Sequence, residues 1–317
     1  MLSEAALPQR VTAAGLIAFL LIGALQAVFG PAIPGLQERF GIAAGVAGLG
    51  LSAQFVGAAV GILGSGLLER LGLSTRARLN LSCVLLAVGC LGLVLAPAWW
   101  FALAAALLAG LGFGGLDINF NLLFATGFGP RGAAMLNLLN ASFGVGAILG
   151  PLLVGFSPGS DYRWAFGFIG LVAALLLPLV HSAGVPRHIP VAEAPPGSRA
   201  LLLAFIVMYF IYVGVEAGTG GWETKHLLSL GVAEATAKSL PALFWAAITA
   251  GRFLAVPLST RVTPATMVVS CLTLGCACLG LAHVPALAPY AYTAAGLCLG
   301  PVFPTGLAWL GSLMPIT

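Results

Sequence analysis

Residues 107–124 read LLAGLGFGGLDINFNLLF, an apolar run interrupted by a single acid, Asp117. A helix needs about 20 predominantly apolar residues to cross the hydrocarbon core of a bilayer, so this run is long enough to be part of one. A charge near the centre of a membrane costs several kcal/mol, and acids in such runs usually face a watery path and serve a function. The stretch therefore predicts a transmembrane helix with a functional carboxylate.

The remainder of the chain has the same character. Of its 317 residues, 60% are hydrophobic and only 7% are charged, whereas a soluble domain carries roughly a quarter charged residues. Ten apolar runs have the length of a membrane span, and they are centred near residues 22, 56, 88, 110, 145, 172, 209, 246, 275 and 299. The runs are long and unbroken, unlike the alternating strands of a membrane barrel. We predict an all-α polytopic membrane protein with ten transmembrane helices.

The positions of Lys and Arg predict how the chain is oriented. With the N-terminus in the cytoplasm, the cytoplasmic segments hold eight of these residues and the outer loops hold four, which agrees with the positive-inside rule. We predict a multi-pass protein of the cell membrane, typical of a bacterial inner membrane, with a cytoplasmic N-terminus. No basic cluster forms a face for nucleic acid. The six cysteines have no metal-site spacing and are interpreted as small packing residues.

An internal repeat divides the chain. Leu-Ser-Thr-Arg occurs at 73–76 and again at 258–261, an offset of 185 that also matches Gly66 with Gly251. After one inserted residue, the offset of 186 matches Gly110 with Gly296 and Gly114 with Gly300. Parallel six-helix halves with a substrate site between them are a transporter architecture. The predicted parts are an N-terminal six-helix bundle (1–181), a polar cytoplasmic linker (182–199) and a C-terminal bundle of four helices (200–317).

Several motifs resemble the major facilitator superfamily. Between the second and third spans, Ser65-x3-Glu69-Arg70-x-Gly72-x-Ser74-Thr75-Arg76 is similar to its loop signature, Gly-x3-Asp-Arg-x-Gly-x-Arg/Lys-Arg/Lys. In the fifth span, NLLNASFGVGA at 137–147 with Gly150-Pro151 resembles the branch that includes fucose permease and sodium-dependent glucose transporters. Further motifs of that branch are Gly110-x-Gly112-x-Gly114-x2-Asp117-x-Asn119, Phe244-Trp245, Gly251-Arg252-Phe253 and Gly300-Pro301-x-Phe303-Pro304-Thr305.

The resemblance implies a two-bundle fold of twelve helices, of which the first, fourth, seventh and tenth line a central cavity. The sequence has ten spans and ends at Thr317, so either it is a fragment or the last two helices are dispensable. The implied function is secondary active transport of a sugar or similar small polar solute by alternating access. A proton or a sodium ion would be the coupling ion, no cofactor is implied, and the oligomeric state stays open.

Candidate site residues come from several of the spans. Asp117 and Asn121 share one face of the fourth helix, with Asn119 on another face, and we predict proton coupling at Asp117 and solute contact at Asn121. Glu216 lies among glycines that weaken the seventh span, as at the discontinuous helices of transporters, and is predicted to bind solute. The alternatives are helix–helix hydrogen bonds for Asp117 and a hydrated membrane interface for Glu216.

Further solute contacts are predicted at amides and aromatic residues. Tyr212 and Trp222 offer ring faces beside Glu216, and Trp245 belongs to the Phe244-Trp245 motif of the resemblance. The other predicted contacts are Gln26 in the first span and the stripe formed by Asn137 and Asn140 in the fifth. The alternative for this stripe is close helix packing at Gly144 and Gly146 with hydrogen bonds from the amides. Arg252 has no acid near it in the chain and is predicted to extend to the membrane surface. His226 and His283 are interpreted as solvated polar residues.

Two other functions remain open from the sequence. Gly146-x3-Gly150-Pro151-x3-Gly155 resembles the signature of efflux antiporters, with Val154 in place of one glycine. A non-transporting sensor or scaffold would be consistent with ten spans instead of twelve. A membrane enzyme fits worst, because no paired acids, Ser–His set or metal-ligand cluster falls on one face, and no nucleotide-binding loop is present.

Overall fold

The computed structural model describes residues 7–181 and 199–313, and every regular element in these ranges is helical. In chain order the α-helices are α1 (Gln9–Phe40), α2 (Ala44–Arg70), α3 (Thr75–Leu95), α4 (Trp99–Thr126), α5 (Gly132–Gly155), α6 (Tyr162–Leu175), α7 (Leu177–Val180), α8 (Arg199–Ser229), α9 (Glu234–Ser239), α10 (Pro241–Leu258), α11 (Pro264–Leu281), α12 (Ala288–Leu299) and α13 (Val302–Leu313). The predicted linker lies outside the described residues, apart from Arg199, where α8 begins.

Within the described ranges, ten spans are long and apolar enough to cross a membrane, which confirms the predicted all-α fold. Seven of these spans are single helices, and the other three are α6 with α7, α9 with α10, and α12 with α13. Each divided span breaks beside a proline, namely Pro178, Pro241 or Pro301. Proline lacks the N–H that a helix interior needs, and its ring crowds the preceding turn, so it favours a break.

The chain forms two compact units, Met1–Ile189 and Pro190–Thr317. In the first unit, glycines bring α2 and α4 so close that backbone meets backbone. A Cβ added to any of them would collide with a carbonyl oxygen of the facing helix. The three contacts are Gly110 against Gln54, Gly114 against Ala58, and Gly61 against Leu111. Such small-residue crossings are typical of helices packed within a bilayer, where close van der Waals contact replaces the hydrophobic effect.

The second unit repeats this crossing between α10 and α12. Its three contacts are Gly296 against Phe244, Gly300 against Ile248, and Gly251 against Leu297. From α4 to α12 the equivalent residues are 186 apart (110 to 296, 114 to 300, 111 to 297), as the sequence repeat predicted. From α2 to α10 they are 190 apart (54 to 244, 58 to 248, 61 to 251). The predicted match of Gly66 with Gly251 is therefore wrong, because Gly61 makes the equivalent contact.

Arg39, in the last turn of α1, ties three helices of the first unit together. Its guanidinium donates to the carbonyl oxygens of Val94 (2.9 Å) and Ala96 (2.7 Å) at the end of α3, and to the hydroxyl of Tyr162 on α6 (3.1 Å). The last carbonyls of a helix have no partner within that helix, and a cation favours them electrostatically. From the sequence alone, Arg39 counted only as one basic residue of an outer loop.

Replacing Arg39 by Met is expected to lower the free energy of unfolding by about 2 to 3 kcal/mol, because it removes several charge-assisted hydrogen bonds at a half-buried site. Thermal unfolding of the purified protein in detergent measures the loss. Arg163→Gln is the matched control, since the ion pair of Arg163 with Asp161 (2.6 Å) is solvent-exposed and contributes little. Equal losses in the two variants would contradict this role of Arg39.

Candidate functional site

Asp117 and Asn121 form a half-buried polar pair on one face of α4. The Asn121 side-chain amide donates to the Asp117 carboxylate at 3.0 Å and to the Asp117 backbone carbonyl at 3.0 Å. No ion pair to Asp117 is found among the described residues. An acid without a cation in a membrane span is costly in its charged form, so a change of protonation state is chemically accessible to it.

Asn119 lies on the opposite face of α4 and has a different task. It is buried, and its amide donates to the Ser65 hydroxyl on α2 (2.7 Å) and to the Gly115 carbonyl one turn earlier (2.7 Å). This bond holds the same two helices that the glycine crossing brings together. The two faces of α4 are thus separated into a packing face with Asn119 and a polar face with Asp117.

Glu216 on α8 pairs with Arg252 on α10 in the second unit. A guanidinium nitrogen of Arg252 lies 3.9 Å from a carboxylate oxygen of Glu216, which is buried. The Tyr212 hydroxyl lies close enough to interact with both and donates to the Leu299 carbonyl on α12 at 3.1 Å. The structure directs Arg252 toward this acid instead of toward the membrane surface, which corrects the prediction. The Glu216–Arg252 pair joins two different helices, so the spacing of residues along either helix could not predict it.

The predicted aromatic contacts differ in their surroundings. The Tyr212 ring is buried and its hydroxyl is engaged, so it stabilises the α8–α12 packing in this conformation. Trp245 on α10 is also buried, and it packs against the backbone of α8 at Gly220. Trp222 is 40% exposed, one position after the buried Gly221. These three rings therefore do not converge on one surface of the second unit.

The predicted amides of the first unit are accessible. Gln26 is half-buried on α1, and Asn137 and Asn140 are exposed on α5. The Asn140 amide donates only to the Leu136 carbonyl of its own helix, at 2.9 Å, so the rest of its hydrogen-bonding capacity faces outward. Neither residue forms a helix–helix hydrogen bond among the described residues, whereas Gly146 of the same helix packs directly against the backbone of α1 at Leu20.

The loop signature folds around an arginine that the sequence motif does not contain. Arg78 on α3 is buried and donates to the Glu69 carboxylate (2.7 Å) and to the Thr75 hydroxyl (3.2 Å). Gly72 provides the turn between α2 and α3 at φ = 85°, a conformation that favours glycine. Arg70 and Arg78 line a cavity of about 400 Å³ next to this turn. In the sequence, the one indication of a role for Arg78 was its position as a charged residue just inside an apolar helix.

Arg76, the last residue of the predicted signature, contacts a different partner. Its guanidinium lies 2.7 Å from His181 Nδ1, just after α7. The contact is solvent-exposed, so it contributes little to stability. Among the described residues, no group of three His, Cys, Asp or Glu could hold a metal ion.

Comparison with known proteins identifies the fold that carries these residues. The family model described as Major Facilitator Superfamily matches residues 15–316. The chain belongs to the Major Facilitator Superfamily. The predicted resemblance is thereby confirmed, and this superfamily and its fold are those of multi-pass membrane transporters and not of enzymes.

The relatives of this superfamily member include two mammalian proteins. Sodium-dependent glucose transporter 1A of Mus musculus is 26% identical over 357 aligned positions, which cover 95% of this chain and 82% of the mouse protein. Sodium-dependent glucose transporter 1 of Homo sapiens is also 26% identical, and the match covers 92% of this chain and 65% of the human protein. The chain thus spans between about two thirds and four fifths of these relatives.

Solved structures of the superfamily share the fold. A bacterial homolog of the human lysosomal transporter Spinster, inward-facing and occupied, gives a TM-score of 0.75 at 16% identity, covering 96% of this chain and 77% of that one. The xylose transporter XylE from E. coli, partially occluded and inward open, gives 0.73 at 13% identity, covering 98% and 85%. The nucleoside transporter NupG gives 0.71 at 13% identity, covering 97% and 82%.

Proposed function

We propose that this superfamily member moves a sugar or a similar small polar solute across the cell membrane by alternating access, with a proton bound and released at Asp117. The observation that carries the proposal is the Asp117–Asn121 pair, a carboxylate in a membrane span whose described neighbour is a neutral amide and not a cation. A carboxylate of this kind can change its charge by taking up a proton. An acid already paired with arginine, such as Glu216, is less suited to that task.

The chemistry of the site supports a polyhydroxylated solute. Carboxylates accept hydrogen bonds from hydroxyl groups, while amides both donate and accept them, so Asp117, Asn121 and Gln26 offer complementary partners. The mammalian relatives are named for glucose, which supports the same solute class for this chain. We propose Glu216 as an acidic solute contact within the second unit, and Asn137, Asn140, Tyr212, Trp222 and Trp245 as further solute contacts.

The proposed coupling ion is the proton. A proton needs only one carboxylate oxygen, whereas a bound metal cation prefers several oxygen ligands at once. We further propose that the N-terminus is cytoplasmic, which places more of the basic loop residues on the inner side. The test below has two competing outcomes. One is coupling to sodium, the ion in the names of the mammalian relatives, and the other is export of an amphipathic compound.

Uptake into proteoliposomes tests the proposal. We expect a labelled neutral sugar to accumulate inside vesicles when the external solution is acidic relative to the lumen, and to reach only its external concentration under an inward sodium gradient. An uncharged nucleoside, an amino acid and an amphipathic dye serve as comparison solutes. Accumulation of the dye alone, or accumulation of sugar driven only by sodium, would overturn the proposed solute or the proposed ion respectively.

A further inference from the structure

A second acid of α8, Glu223, is buried and forms no ion pair within the described part of the chain. It is 1% exposed, and its Oε2 atom has no hydrogen-bond partner among the described residues. The hydroxyl of Thr224, which is fully buried, and the indole N–H of Trp245 likewise lack partners. Gly220, against which Trp245 packs, precedes Glu223 by three residues and Thr224 by four, so these positions share a helix face.

Among the described residues, no ion pair to Glu223 is found on the helices that pack against α8. On α9, Lys238 lies 2.6 Å from the carboxylate of Glu234, with which it forms an ion pair. On α10, the nearest cation in the described part is Arg252, which pairs with Glu216, two turns before Glu223 on α8. The neighbour on α12 is a neutral phenol, Tyr292. A buried carboxylate without a cation favours its neutral, protonated form, because burial penalises the charged form.

Tyr292 connects this acid to the surface of the unit. Its hydroxyl is 2.8 Å from His226 Nδ1, and His226 lies three residues after Glu223, on the same face of α8. Tyr292 is also within electrostatic range of Glu223. The rings of His226 and His283 have centroids 6.2 Å apart. Exposure rises along this series, from buried Glu223 through half-buried Tyr292 and His226 to exposed His283. The structure thus corrects the interpretation of His226 as a merely solvated residue.

We propose that Glu223 is a second proton-binding site, located in the C-terminal unit, and that Tyr292, His226 and His283 form its path to the aqueous surface. When the site empties, the Glu223 carboxylic acid becomes a carboxylate and the imidazole of His226 takes up the proton as imidazolium. His226 then passes the proton to His283 or to bulk water and returns to its neutral form. Histidine suits this step because each of its two ring nitrogens can carry a proton, so the ring can accept a proton on one side and release one on the other.

Infrared spectroscopy of the purified full chain tests the assignment. At neutral pH we expect a carbonyl-stretch component of a protonated glutamic acid that is lost in the difference spectrum of Glu223→Gln and retained in Glu234→Gln, where the replaced acid is exposed. A component from Asp117 is identified by its loss in Asp117→Asn. The hydrogen–deuterium exchange of the Glu223 component is expected to slow roughly tenfold or more in His226→Gln, the size of effect that a positioned proton-transfer group contributes. Tyr292→Phe is expected to slow the exchange similarly.

Several results would overturn the proposal. One is a wild-type-minus-Glu223→Gln difference spectrum that shows no lost carbonyl-stretch intensity, and another is exchange at the wild-type rate in both His226→Gln and Tyr292→Phe. If the Glu223→Gln variant does not fold, isotopically labelled glutamate in the wild-type protein supplies the same assignment, and a band that does not shift on labelling excludes Glu223. The proposed site at Glu223 is independent of the proposed role of Asp117. We expect Asp117→Asn to keep the infrared signal of Glu223. This holds whether or not that variant still accumulates solute.

Discussion

Asp117→Asn is expected to abolish proton-driven accumulation of solute in proteoliposomes while leaving exchange of solute down its own gradient. A pH gradient of about one unit is worth about 1.4 kcal/mol per proton and supports up to about tenfold accumulation when one proton moves with each solute. Asparagine has nearly the shape of aspartate and can still contact Asn121, but it cannot bind and release a proton. The variant should therefore bring solute only to equal concentrations on the two sides.

The matched control for this change is Asp161→Asn, which makes the same chemical substitution outside the membrane span. Asp161 caps the start of α6 by accepting the backbone N–H of Arg163 at 2.9 Å, and asparagine caps helices equally well. We expect this variant to accumulate solute like the wild type. Full accumulation by Asp117→Asn would show that the proton is bound elsewhere and would remove Asp117 from the coupling mechanism.

Glu216→Gln is expected to reduce both the stability of the protein and its affinity for solute. The change leaves the Arg252 guanidinium without its carboxylate in a mostly buried position, and breaking such a pair costs about 3 kcal/mol. Thermal unfolding measures the stability. Solute affinity follows from how much added solute raises the unfolding temperature, since a ligand that binds only the folded state stabilises it by mass action.

The double variant Glu216→Gln/Arg252→Gln separates the two effects. Removing the second charge eliminates the unpaired guanidinium, so most of the lost stability should return. Solute affinity should stay low if Glu216 contacts the solute, because the carboxylate is still missing. A double variant as unstable as the single one would contradict the ion pair. Recovery of full affinity would mean that Glu216 only holds Arg252 in place.

Features within one helix could be predicted from the sequence. The ten spans follow from the length of their apolar runs, and the separate faces of Asp117 and Asn119 follow from helical spacing. Features between helices could not. The partner of Arg252, the engagement of Arg78 with Glu69, and the burial of Glu223 all depend on which helices pack together. The repeat shows the same limit, because an offset of 185 from loop residues missed the offset of 190 that the glycine contacts reveal.

The repeated glycine crossing also bears on the history of the chain. Two units that share a backbone contact at three equivalent points are best explained as copies of one ancestral helix bundle. By the offset of 186 that relates α4 to α12, the copy of Asp117 is Phe303, whose ring packs 5.0 Å from that of Tyr209. Equivalent positions of the two units thus hold an acid on α4 and an aromatic ring on α13. The two units therefore share the geometry of their helix crossing and differ in the side chains that this geometry positions.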